Sequence, residues 1–140
     1  MDRPRTGEDR TDEPVMRHDL VDAHIRQKVL RFLRYRTLTA ISQGTRPGAE
    51  ASIMKLAYAQ HLSALTATAL SVQGPTATLD GPHLPAQGMW SKRFLHSPSI
   101  HIAGGSDEIQ RNIVGEQVLG LPHEPSVDRD VPFRDLARGR

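Results

Sequence analysis

Apolar residues recur at three- and four-residue steps from Val15 onward: Val15, Met16, Leu20, Val21, Ile25, Val29, Leu30, Leu33, Leu38 and Ile41. That period puts them on one face of a long helix. Pro14 suits its first turn, since the missing N–H would be unbonded there anyway, and Gly44 suits the residue just beyond its end. Residues 1 to 13 are polar, with Pro4, Gly7 and mixed charges, and are expected to form a disordered leader. After the connector TRPGAEAS, a second helix is expected from about residue 50 to 73, ended by Gly74-Pro75. Its small residues, including Ala57, Ala59, Ser63 and Ala64, predict close approach of the first helix in an antiparallel hairpin.

The stretch PTATLDGPHLPAQG, residues 75 to 88, has no helical period and reads as a loop of about fourteen residues. A short helix is predicted over 89 to 96, with Trp90 and Phe94 one turn apart, broken by Pro98. In HIAGGSDEIQRN, residues 101 to 112, Gly104 and Gly105 loosen the backbone and Ser106 can cap a helix. Asp107 and Glu108 then fall where the helix dipole favours negative charge. Ile109, Ile113, Val114, Val118 and Leu119 are expected to be the buried stripe of that last helix, which ends at Gly120-Leu121-Pro122. The expected domain is therefore 14 to 122. Residues 123 to 140 form an extended tail, with Val131, Phe133 and Leu136 as docking points.

Composition narrows the class. In 140 residues only 4% are aromatic and 37% hydrophobic, so burial must come from aliphatic side chains. That favours packed helices: an all-α, up-down bundle of three main helices plus one short one. With no cysteine, disulfides and thiolate chemistry are excluded. No signal peptide and no apolar run of membrane-spanning length is visible, so a cytoplasmic protein without a membrane partner is expected.

Net charge is +2, from 18 Lys and Arg against 16 Asp and Glu. Arg26, Lys28, Arg31, Arg34 and Arg36 cluster, but on the segment with apolar periodicity, which reads as a solvated helix face and not a nucleic-acid stripe. The seven histidines are scattered without metal-ligand spacing, so no metal is expected. AGGS lacks the lysine and hydroxyl of a Walker loop, and on physical grounds alone it reads as a capped helix start.

Three stretches carry a resemblance: the R…LR…RTLTAISQG run, RPGAEASIMKLAYAQ (46 to 60) and MWSKRFLHSPSIHIAGGSDEIQRNIVGEQVLGLP (89 to 122). Together, from about Val15 to Asp130, they resemble the C-terminal helical domain of acyl-CoA dehydrogenases, in the bacterial branch reading GG[ST]xEIQRN. Members of that family oxidise the α,β carbons of an acyl-CoA thioester with FAD, which lies between domains and a neighbouring subunit. The resemblance implies that Gly104, Gly105, Ser106 and Glu108 face the cofactor. It also implies that the glutamate used as base in one branch falls on Gly104, so no catalytic residue is expected here. A family glutamine that meets the cofactor falls on Ser71, a departure from the pattern. The family's N-terminal and β-domains, and its YAxxRxxFG helix, have no counterpart in this sequence. The resemblance thus implies a fragment or split subunit, inactive alone. The alternative is a non-catalytic helical interaction module. Either would leave a bundle face open for homo- or hetero-oligomers.

Overall fold

The computed structural model describes residues 13–45, 48–79, 81, 85–123, 125 and 131–135. Four α-helices follow in order: α1 (Pro14–Ser42), α2 (Glu50–Gln73), α3 (Met89–Ile102) and α4 (Asp107–Gln117). Among the described residues there is no strand, and the all-α bundle is as expected. No described helix is long and apolar enough to cross a membrane.

The first two helices follow their local codes. Pro14 opens α1, and Gly44, at φ +72°, closes it while the Thr45 N–H returns to the Ala40 carbonyl. α2 is the centre of the molecule and packs against α1, α3 and α4. Ser52, Ala59 and Thr66 are buried and recur every seven residues, two turns of helix, so they form one line along it. Lys55 and Ser63 flank that line and bond to α3 and α4. Ala59 and Ser63 therefore serve the later helices, whereas the first helix packs on the side that carries His61.

Pro98 does not break the third helix, which runs from Met89 to Ile102 with the proline inside it. The nitrogen of Pro98 cannot bond to the Phe94 carbonyl one turn back. The Ser97 hydroxyl replaces it, donating to the Phe94 carbonyl oxygen at 2.9 Å from a buried position. The expected short helix is consequently 14 residues long, and α4, at 11, is the shortest.

The loop expected over 75 to 88 is partly ordered. A 3₁₀ helix spans Gly74–Thr78, where the Thr76 and Thr78 hydroxyls donate to the carbonyls of Gln73 and Pro75. A second turn, Pro85–Gly88, holds Ala86 and Gln87 at positive φ, a conformation that costs each of them about 1–2 kcal/mol. The Ser91 hydroxyl ties the start of α3 to this region through the Ala77 carbonyl.

Two expected apolar faces are not buried within this chain. On α1 only Met16 and Ala23 are buried, while Val21, Ile25, Val29 and Phe32 are between 49% and 61% exposed. On α4 the buried residues are Asp107 and Gln110, whereas Ile109, Val118 and Leu119 face outward. Apolar side chains occupy more than one side of each helix, so periodicity could not tell which side meets α2. Of the expected leader, residues 1 to 13, all but Glu13 lie outside the described residues, as do Leu136 and most of the tail. Phe133–Asp135 forms one 3₁₀ turn, and Val131 is exposed.

Candidate functional site

The turn between α3 and α4 carries Gly104, Gly105, Ser106 and Glu108, whereas Ser71 lies near the end of α2. Ala103 ends α3, and Gly104 and Gly105 follow at φ +68° and +98°. Both angles lie where only glycine is unstrained. Gly105 is also hemmed in, since a Cβ there would stand 2.7 Å from Nε2 of Gln110. Gly104 instead faces open space. Gln110 reaches back from the first turn of α4 and donates from Nε2 to the Gly104 carbonyl at 2.7 Å, stitching the turn closed.

Ser106 caps α4 as expected, its oxygen accepting from the Ile109 N–H at 3.4 Å. Glu108 projects into solvent, with Arg111 beside it at 3.4 Å. Its own backbone N–H and the Ser106 hydroxyl hold its carboxyl below the usual range, with Arg111 contributing less.

Asp107 does more than place negative charge at the start of α4, as its position suggested. It is buried, and its two oxygens are both taken. Lys55 Nζ donates to Oδ1 at 2.9 Å, and His101 Nδ1 lies 2.6 Å from Oδ2. Lys55 donates again to the His101 carbonyl at 3.0 Å, which satisfies a carbonyl at the end of α3. The hydrogen bond from Lys55 and then that from His101 hold the Asp107 carboxyl below its ordinary range. Its charge is thus turned inward and neutralised.

On its far side His101 Nε2 meets Ser63 Oγ at 2.9 Å, completing a serine–histidine–aspartate chain of contacts. Ser63 lies in the interior of α2, where backbone N–H groups are consumed by the helix, so α2 itself offers no backbone donor for an oxyanion. The arrangement is a polar tie between α2, α3 and α4. It fixes the orientation of the Gly104 turn on the bundle.

The chain matches the family described as "Acyl-CoA dehydrogenase, C-terminal domain" over residues 1–119. It belongs to the acyl-CoA dehydrogenase family. Acyl-CoA dehydrogenase IpdE1 of Mycolicibacterium smegmatis is 35% identical over 121 residues, covering 86% of this chain and 28% of that protein. IpdE1 of Mycobacterium tuberculosis is 34% identical over 116 residues, covering 81% and 28%. Two solved structures share the fold: one described as "Tcur3481-Tcur3483 steroid ACAD" (TM-score 0.74, 20% identity) and the ChsE4-ChsE5 complex from Mycobacterium tuberculosis (TM-score 0.71, 25% identity). Each comparison covers 81% of this chain and 30% of the other. The chain therefore spans less than a third of the acyl-CoA dehydrogenases it resembles.

With the family fixed, the fit of a flavin to the α3–α4 turn can be judged from its own atoms. Bare backbone at Gly104, with open space around it, allows a flat group to come close. Glu108 stands exposed beside Arg111 at 3.4 Å, so the edge of the turn carries a balanced pair of charges. Gln110 and the Lys55–Asp107–His101 tie were not among the residues singled out from sequence. A glutamine six residues after a glycine that precedes a capped helix was the only available signal for the first. Nothing local marked the second.

Proposed function

We propose that this chain is the C-terminal helical part of an FAD-dependent acyl-CoA dehydrogenase, acting in the cytoplasm as one member of a larger assembly and inactive by itself. When bound, FAD supplies the hydride acceptor for α,β-dehydrogenation of an acyl-CoA thioester. Gly104, Gly105, Ser106 and Glu108 form the wall toward its ring. Gly104 leaves room, the Ser106 hydroxyl orders the turn, and Glu108 offers the one outward-facing carboxylate. The observation that carries this reading is the turn itself, with Gly104 open where one branch of the family has a glutamate. Glycine has no group to take the α-proton, so the base must come from elsewhere.

The test is an acyl-CoA dehydrogenation assay with an artificial electron acceptor, using the purified chain plus added FAD. No turnover is expected from the chain alone. Turnover by the chain alone would overturn its dependence on other subunits. Flavin that co-purifies with the chain and a partner subunit, and is lost in Gly104→Trp, supports the ring-side wall.

The interaction-module reading has its own support in the α1 stripe of Val21, Ile25, Val29 and Phe32, spaced four, four and three residues apart and exposed. That spacing is the seam of a helix-to-helix contact. The proposed occupant is another acyl-CoA dehydrogenase-type subunit. The purified chain is accordingly expected to self-associate or capture such a subunit in sedimentation velocity. Ile25→Glu with Phe32→Glu is expected to weaken association by at least about tenfold. A wild-type chain that stays monomeric and captures no such subunit removes the support for this surface.

A further inference from the structure

His61 sits in the middle of α2 on the side that α1 covers, and only 7% of it is exposed. Its Nδ1 is buried without a hydrogen-bond partner. The neutral ring tolerates this when its hydrogen is on Nε2, because Nδ1 is then a bare lone pair. A second proton adds an N–H that meets no acceptor and a charge that burial disfavours.

The groups around the ring offer no counter-charge. From α1, His24, Lys28, Arg31, Arg34 and Tyr35 line the cleft in front of it, with Tyr58 from α2, and no carboxylate is among the lining residues. Asp22 favours the charged ring, but its carboxylate already accepts a hydrogen bond from Arg26 Nε at 2.6 Å. No residue of α3 or α4 lines the cleft. Their His101 and Asp107 gather instead at Lys55 and at Ser63, which is two residues on from His61 and so roughly 200° round the helix. Burial first, and then Arg26, hold the pKa of His61 below its ordinary value, with Asp22 opposing.

We propose that His61 is a proton-sensitive latch between α1 and α2. Neutral, it lets α1 lie across it; protonated, it drives α1 from α2 while α2, α3 and α4 stay together. α1 packs chiefly on α2 and buries only Met16 and Ala23, whereas α3 and α4 are tied to α2 through Lys55, Ser63, His101 and Asp107. Loosening returns the ring to water and to its ordinary pKa of about 6.5, so the open state binds the proton more readily than the docked one. Docking of α1 is therefore strongest above about pH 6.5 and weakens as pH falls from there toward the folded value. The Asp107 carboxyl, held below its own ordinary range, is still charged where His61 begins to take up its proton. The latch lies beneath the helix that carries the exposed Val21, Ile25, Val29 and Phe32, and it stands whatever that stripe meets.

Hydrogen exchange of the full chain at about pH 7.5 and about pH 5.5, with labelling times matched for intrinsic rate, tests it. Amides of α1 are expected to lose protection at least about fivefold at the lower pH, while those of α3 and α4 change by less than about twofold. His61→Leu is expected to abolish the difference, and His61→Gln, which keeps a polar side chain, covers a failure of the leucine variant to fold. Arg26→Gln frees Asp22 for the ring, so the NMR titration midpoint of His61 is expected to rise and the loss of α1 protection to shrink. The chain with Ile25→Glu and Phe32→Glu is expected to show the same loss as the wild type, which separates the latch from association through that stripe. An α1 whose protection ignores pH, an equal loss in the His61 variants, a loss shared by α3 and α4, or a His61 midpoint at or above about 6.5 or unmoved by Arg26→Gln would each overturn the proposal.

Discussion

Asp107→Ala is expected to lower the stability of the chain by about 2–4 kcal/mol, because it strips a part-buried lysine of its partner and unpins the α3–α4 turn. The Lys55 and Asp107 side chains are 18% and 11% exposed, so water cannot readily replace the lost contact. His101 loses its Nδ1 partner in the same step. Asp107→Asn keeps acceptor geometry without the charge, and its loss is expected to be intermediate. Equilibrium urea denaturation measures both. An Asp107→Ala variant as stable as the wild type would mean that the tie contributes nothing.

The same carboxylate sets a pH dependence. Lys55, and then His101, lower its pKa in the folded chain, so the folded value lies below the unfolded one. Its contribution to stability is therefore fully present above the unfolded pKa of about 4 and is lost as pH falls through the folded value. Asp107→Asn removes that part of the acid limb. Parallel acid-denaturation curves for wild type and Asp107→Asn would contradict this assignment.

Ala59→Leu is expected to cost about 3 kcal/mol, or to abolish cooperative unfolding, through overpacking at the line where α2 meets the later helices. Ala59 and Thr66 are both 0% exposed, which leaves no room for three further carbons without moving a helix. Tyr58→Ala, at the neighbouring exposed position, serves as the control with a much smaller change. Thermal unfolding followed by circular dichroism separates the two. Ala59→Leu melting at or above the wild-type temperature would show that the helices pack more loosely than the burial of Ala59 implies.

Much of this was legible in local chemistry. Pro14, Gly44, Gly74 and Ser106 act on the residues beside them, so the ends of α1 and α2 and the start of α4 could be placed from sequence. Pro98 misled because its usual effect depends on a lost hydrogen bond, and the compensating donor, Ser97, is visible only once the helix is built. The GGS turn was legible as the family's loop. Its fixing by Gln110 was not, since a side chain bonding six residues back follows no helical rule.

By itself the sequence determined the helical class, two helix lengths, the caps and the family, because those depend on contacts within a few residues or on a matched pattern. Tertiary structure alone decided which apolar stripes stay open, and why Asp107 is neutralised by a lysine 52 positions away. The cations of α1 stay exposed, as a solvated face does, and only the tertiary structure shows that three of them also line a cleft beside a buried histidine. Helical period says which residues share a side. It does not say what that side meets, and burial and charge pairing both depend on the answer.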